Sequence, residues 1–350
     1  MPVNSTDAAR RGTLRAPRSP GEIVPAAPCA QRRAVLRALA AGAVLHAGFA
    51  PAARAASDTM TLVVAAVPGG GIDHAARLIA QRLERDFGRN VIFEYRPGAA
   101  TRLAGDFVAK APPDGSALLV TTGASTIDLA FNPDAQPNIL EDFVPVAQLS
   151  AGQLLFVVGA ASPIRTTQDI VARARAAPGA LNFGTVNVQS TQRVVGELFM
   201  LSTGTRMVQV PYKAEVAIMV AVANGVLDFG IVGIGTALPL IEAGKVRPIA
   251  VASNHRARAL PDVPTLAQSG VANVDLPQWY GVLAPAGTPA ALVKALAHSI
   301  EQEVRSPEYH RGIQAIGLEP VHRTQPEFAA MLKHEVARYR DIIGTANLAQ

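Results

Sequence analysis

The sequence predicts an α/β protein with two domains, each a parallel sheet flanked by helices. Three observations carry that reading. A chain of 350 residues is long enough to build two α/β cores. From residue 56 onward strand-forming runs alternate with amphipathic helical ones, and successive βα units call for parallel sheets with ligand sites at the carboxyl ends of strands. The first such unit, residues 61–100, runs strand, three-glycine turn, helix without interruption.

In that unit the strand-forming run 61–67 stops at Pro68, and an amphipathic helix over 73–87 puts Ala76, Ile79, Leu83 and Phe87 on one face. Gly69, Gly70 and Gly71 lie between. Such a turn leaves unpaired N–H groups at a helix N-terminus, where the macrodipole adds partial positive charge, so an anion can settle there. A turn that merely joins strand to helix would show the same spacing. Further strands are expected at 91–95, 117–121, 154–158, 181–184, 207–210, 227–232 and 246–252, with helices at 168–176, 191–202, 214–224 and 236–243. The chain is expected to change domain near 151–162 and to return near 279–285.

The formal net charge of +5 would suggest a nucleic-acid or anionic partner if it were spread over the fold. It is not. Residues 1–55 hold eight of the basic residues and two of the acidic ones, leaving 24 basic against 25 acidic in the remainder, so no nucleic-acid partner is expected. Residues 1–55 read as an export signal: a basic stretch, an apolar run over 38–50, and Ala53-Arg54-Ala55 as a small-x-small cleavage site. Gln31-Arg32-Arg33 opens a twin-arginine-like motif. The apolar run is too short for a membrane span. The only cysteine, Cys29, would leave with the signal, so the mature chain would carry no disulfide, thiol nucleophile or cysteine metal ligand.

Enzyme and cofactor motifs fail one by one. There is no GxxxxGK[ST] loop, His74 stands where the dinucleotide fingerprint needs its third glycine, no GxSxG elbow occurs, and His334-Glu335-Val336-Ala337-Arg338 lacks the second zinc-binding histidine. Apart from His46 in the leader, the histidines show no metal-ligand spacing, and no cofactor is expected.

Seven segments in order carry a resemblance: Pro68 through Arg77, Tyr95-Arg96-Pro97-Gly98-Ala99, Ala111-Pro112-Pro113-Asp114-Gly115, Val210-Pro211-Tyr212-Lys213, Ala243-Gly244-Lys245-Val246-Arg247, Leu260 through Leu266, and Trp279 through Pro289. Together they resemble the signatures of the periplasmic receptors of tripartite tricarboxylate transporters, the Bug family. The resemblance implies a type II periplasmic binding protein, two α/β lobes around a ligand cleft, with lobe 1 from 56–155 and 281–350 and lobe 2 from 156–280. It implies a monomeric, non-enzymatic periplasmic protein that captures a small carboxylate and hands it to membrane transporter subunits. A sensor kinase as the membrane partner, or a periplasmic α/β enzyme acting on a carboxylate, are the alternatives.

The resemblance also implies that backbone amides of two loops hold the ligand carboxylate. The first loop matches Pro68, Gly69, Gly70, Gly71, Ile72 and Asp73, with Asp73 capping the helix while free N–H groups face the anion. The second matches residues 184–193, with Thr185, Asn187, Gln189, Ser190 and Arg193 as candidates; Thr122, directly after the third expected strand, completes the set. Here the chain departs from the family pattern, since Asn187, Gln189 and Arg193 stand where small residues and a histidine are usual. Arg193 is either a bidentate partner for a second ligand carboxylate or a solvated arginine on the helix face. Ala100 and Thr101 also replace expected glycines, Ala214 replaces the glycine after Tyr212-Lys213, and Val232 stands where a polar residue is common. Trp279 is expected to pack at the lobe junction, with a place lining the cleft as the alternative.

Overall fold

The computed structural model describes residues 58–186 and 189–346. The export signal, the Arg32-Arg33 pair, Cys29 and Asn187 lie outside the described residues. Among those described, six strands form one sheet in the order β11-β4-β10-β3-β1-β2 and five form a second in the order β7-β6-β8-β5-β9.

The first sheet starts from β1 (Thr59–Val64), whose run of Leu62, Val63 and Val64 is buried on both faces as a strand between two neighbours must be. It pairs in parallel with β2 (Asn90–Tyr95) and β3 (Ala117–Thr122). Helix α1 (Gly71–Phe87) covers one face through Ile72, Ala75, Ala76, Ile79 and Leu83. It ends because Gly88 turns left-handed and returns its N–H to the Glu84 carbonyl. A 3₁₀ turn (Ala99–Thr101) leads into α2 (Arg102–Ala109), and α3 (Ala124–Phe131) follows β3.

The chain changes sheet at one residue. Strand β4 (Phe143–Gly152) ends in the first sheet and β5 (Leu154–Gly159) begins in the second, with only Gln153 between them. Then come α4 (Thr167–Ala176), capped by a Thr166/Asp169 capping box, β6 (Asn182–Val186), and α5 (Thr191–Thr203), capped by Ser190. They are followed by β7 (Val208–Tyr212), α6 (Glu215–Ala223), β8 (Phe229–Gly233), α7 (Ile234–Glu242) and β9 (Val246–Val251). The return is β10 (Gln278–Pro285), inserted in the first sheet between β3 and β4, followed by α8 (Ala290–Val304), α9 (Pro307–Ala315), β11 (Leu318–Pro320) and α10 (Gln325–Ala346).

Neither sheet is purely parallel, which corrects the sequence expectation. Strand β10 runs antiparallel to β3 and β4, as does β11 to β4, and β5 runs antiparallel to β8 and β9. The reason is topological: strands that carry the chain between sheets have no crossover helix to return them parallel to their neighbours. Helix α10 spans the crossing. Its Phe328, Leu332 and Val336 pack with Val63, Leu119 and Leu283 of the first sheet, whereas its Tyr339 and Ile343 pack with Phe156, Phe183 and Phe229 of the second.

Candidate functional site

Gly69 adopts φ +88°, a region that costs a side-chain-bearing residue free energy, and this sharp turn brings the chain from β1 into α1. Gly70 occupies the N-cap position and offers no side-chain cap. The sequence expectation placed Asp73 as the cap, and the structure corrects it: Asp73 is the third residue of α1, and its carboxylate reaches back past the cap to accept the Gly69 N–H at 2.8 Å. Tyr95 Oη donates to the same carboxylate at 2.7 Å and Arg77 Nε pairs with it at 3.0 Å. Burial works against ionisation of Asp73, yet these donors outweigh it and hold its pKa below the ordinary aspartate value. Asp73 is therefore a brace of the turn. The backbone N–H groups of Gly70, Gly71, Ile72 and Asp73, at the start of the helix, have no acceptor among the described residues.

Gly71 approaches Tyr280 of β10 closely: a Cβ there would lie 3.2 Å from the Tyr280 hydroxyl oxygen and 3.3 Å from Leu318. Thr122 is the cross-strand partner of Tyr280, and its Oγ1 accepts the Ala124 N–H at 3.2 Å. Gln278, two residues before Tyr280, shares its face of β10. Its Nε2 donates at 3.3 Å to Glu215 Oε1, at the start of α6. That oxygen also accepts from Gln192 Nε2 at 2.6 Å and from the Gly233 N–H at 3.0 Å, while Oε2 accepts from Thr236 Oγ1 at 2.5 Å. Burial, and then the Glu215 charge, push the Tyr280 phenol above its ordinary range.

The second candidate loop is used mostly to hold itself. Thr185 is fully buried and its Oγ1 accepts from Gln209 Nε2 at 2.6 Å; Ser190 Oγ accepts the Arg193 N–H at 3.3 Å; Gln189 is half-buried in the turn ahead of α5. Arg193 pairs with Glu197 at 3.7 Å and its guanidinium lies 5.5 Å from the Phe131 ring centre. Its neighbour Gln192, buried and bonded to Glu215, is the α5 side chain that meets β10 through the shared carboxylate.

On the opposite face of β10, Trp279 is buried against Phe328 and donates Nε1–H to Glu335 of α10 at 2.7 Å. Burial pushes the Glu335 carboxyl up to about 7, against the downward pull of hydrogen bonds from Thr126 and Trp279. The most shifted carboxyl thus lies in the packing between the sheets. Among the described residues no group of three or more His, Cys, Asp and Glu side chains could hold a metal ion, and no helix is long and apolar enough to cross a membrane.

Residues 75–348 match the model of the tripartite tricarboxylate transporter family receptor. The chain belongs to this family. The receptor is 32% identical to a UPF0065 protein of Bordetella bronchiseptica, over 89% of its own length and 93% of that protein. Among solved structures it is 30% identical to Rpa4515 of Rhodopseudomonas palustris, determined with adipate, with a TM-score of 0.76 over 83% of this chain and 97% of that one. It is 26% identical to MatC of the same organism, determined with bound malate, with a TM-score of 0.75 over 81% and 98%. The fold is that of a type II periplasmic binding protein, and the two sheets are the cores of its two α/β lobes.

Gln192, Glu215, Gly233, Thr236, Gln278 and Tyr280 of the receptor escaped the sequence reading. A signal existed for some of them. Gln278 and Tyr280 alternate with Trp279 in a strand pattern, and Glu215 directly follows the alanine that replaces the glycine after Tyr212-Lys213.

Proposed function

We propose that this receptor captures a small carboxylate in the periplasm and delivers it to the membrane subunits of a tripartite tricarboxylate-type transporter. The observation that carries the reading is the set of N–H groups at Gly70, Gly71, Ile72 and Asp73 left without an acceptor, beside the Asp73 brace at the N-terminus of a 17-residue helix. Two similar receptors were determined with malate and with adipate, both carboxylates. The lobes divide where the chain crosses between sheets, at Gln153 and ahead of Gln278, and closure of one lobe on the other around the ligand supplies the signal that the membrane partner reads. Export by way of residues 1–55, with removal near Ala55, places the receptor where such a ligand arrives.

A thermal-shift screen of di- and tricarboxylates, acidic amino acids and aromatic carboxylates tests this. A ligand at about 100 times its dissociation constant adds roughly 2.7 kcal/mol of stability, well within reach of such a scan. Stabilisation by uncharged or cationic compounds alone would overturn the proposal.

A further inference from the structure

Glu215, at the start of α6, places a carboxylate of the protein itself against β10, the strand that returns the chain to the first sheet. Its Oε1 takes three donors, from Gln192, Gly233 and Gln278, and Oε2 takes one, from Thr236. A carboxylate offers about four acceptor positions and no donor. All four partners are neutral, no cation pairs with Glu215 among the described residues, and Oε2 takes a single donor where Oε1 takes three. The donors come from α5, from the N-terminus of α7 and from β10, so a protein carboxylate already occupies the anion-holding position that this lobe offers.

Gln278, which touches Glu215, and Tyr280, which touches Gly71, stand two residues apart on one face of β10, about 7 Å along the strand. The unpaired N–H groups of the glycine turn and the Glu215 carboxylate therefore lie along one short stretch of β10, one end suited to an anion and the other to a cation or donor.

We propose that Glu215 is the specificity-determining residue of this cleft and selects a carboxylate that also carries an ammonium group, excluding dicarboxylates. The inference rests on the carboxylate reading above. A second ligand carboxylate at this end would meet a like charge and donors already engaged, whereas an ammonium would complete the coordination of Oε2 and neutralise the half-buried charge.

Isothermal titration with amino acids (α and ω), α,ω-dicarboxylates and monocarboxylates of two to six carbons tests it, on the wild type and on Glu215→Gln. In the wild type the best amino acid should bind at least tenfold tighter than the dicarboxylate of equal length. In Glu215→Gln that ratio should fall at least tenfold. A wild type that prefers the dicarboxylate, or a ratio unchanged by the substitution, overturns the role of Glu215 while leaving carboxylate capture standing. Failure of every probe to bind either protein overturns both. The wild-type ranking needs no variant, so a poorly folded Glu215→Gln does not shield the proposal.

Discussion

Trp279 and Glu335 are joined where the two lobes meet: the indole N–H donates to Glu335 Oε2 at 2.7 Å, and the same oxygen accepts from Thr126 Oγ1 at 2.7 Å. Glu335 sits at the point on α10 where packing passes from the first sheet to the second, between Leu332 and Tyr339. Burial favours its neutral form and raises the carboxyl from 4.5 to about 7. Below about pH 4.5 the folded and unfolded chains both carry the proton. As pH rises from 4.5 to 7 the unfolded chain releases it first, so stability falls; above about 7 the loss is complete.

Glu335→Gln removes that titration and keeps an acceptor for the indole. The variant's stability relative to wild type should therefore rise by about 2 to 3 kcal/mol between pH 5 and pH 8. Urea unfolding of both proteins at the two pH values measures it. The difference between them isolates Glu335 from His322, whose lowered pKa, set first by burial, makes stability fall as pH drops through its unfolded value of 6.5. Equal pH dependence of the two proteins would contradict the assignment.

Ala100 and Thr101, noted in the sequence as replacing glycines, both take left-handed backbone conformations. Ala99, Ala100 and Thr101 adopt φ of +48°, +51° and +78°, a left-handed turn built without a glycine in it. The left-handed region costs roughly 1–2 kcal/mol per residue, partly offset by the greater unfolded-state entropy of glycine. Ala100→Gly should therefore stabilise the receptor by about 0.5–1 kcal/mol, read as a raised urea midpoint with unchanged slope. Thr101→Gly should gain less, because Thr101 Oγ1 lies in hydrogen-bond contact with Ser125 Oγ at 2.7 Å.

Gly235, near the start of α7, lies against the segment between α9 and β11. A Cβ there would fall 1.8 Å from the Ile316 carbonyl oxygen. Gly235→Ala must then move the second-lobe helix off the first lobe, an overpacking that costs typically 1–3 kcal/mol. Because the contact is present without ligand, the cost should appear in the stability of the ligand-free protein. Urea unfolding of the variant measures it; wild-type stability in Gly235→Ala would contradict the assignment.

The legible parts of this molecule are the local ones. Strand β1, the glycine turn and α1 could be read because a β-branched run, a turn of glycines and a 3.6-residue apolar period each leave a mark within a few residues. What Asp73 does was less legible. Its sequence position fits a cap, and only the hydrogen bond from the Gly69 N–H, made in the folded turn, shows that its carboxylate reaches one residue further back. Strand β10 was read as the return of the chain, yet its antiparallel placement between β3 and β4 depends on the crossing at Gln153 and leaves no periodic trace. Glu215 was hidden for the same reason. Its partners lie 18 to 63 residues away in sequence, and no spacing rule links Gln192, Gly233 and Gln278 before the lobes are assembled.

The glycine turn provides the last test, and the structure changes its basis. Gly71 is the first residue of α1 and does not have positive φ, so a side chain there is opposed by Tyr280 and Leu318, 3.2 and 3.3 Å from where a Cβ would lie, rather than by backbone strain. Gly71→Val should push its branched side chain over the unpaired N–H groups and displace Tyr280. Loss of two amide-to-carboxylate hydrogen bonds, at about 1.5–3 kcal/mol each, weakens binding by roughly two to four orders of magnitude. Asp73→Asn keeps an acceptor for the Gly69 N–H and should change affinity much less. It removes instead a carboxylate whose ionised form the fold favours, so stability that wild type holds above pH 3.8 and loses as pH falls through the lowered folded pKa should be missing from the variant. Titration calorimetry of both variants with the ligand found by screening, alongside acid unfolding, decides the matter. Near-normal affinity in Gly71→Val would remove the amide cradle, and an affinity loss in Asp73→Asn as large as that in Gly71→Val would move the anion contact from the backbone to the brace.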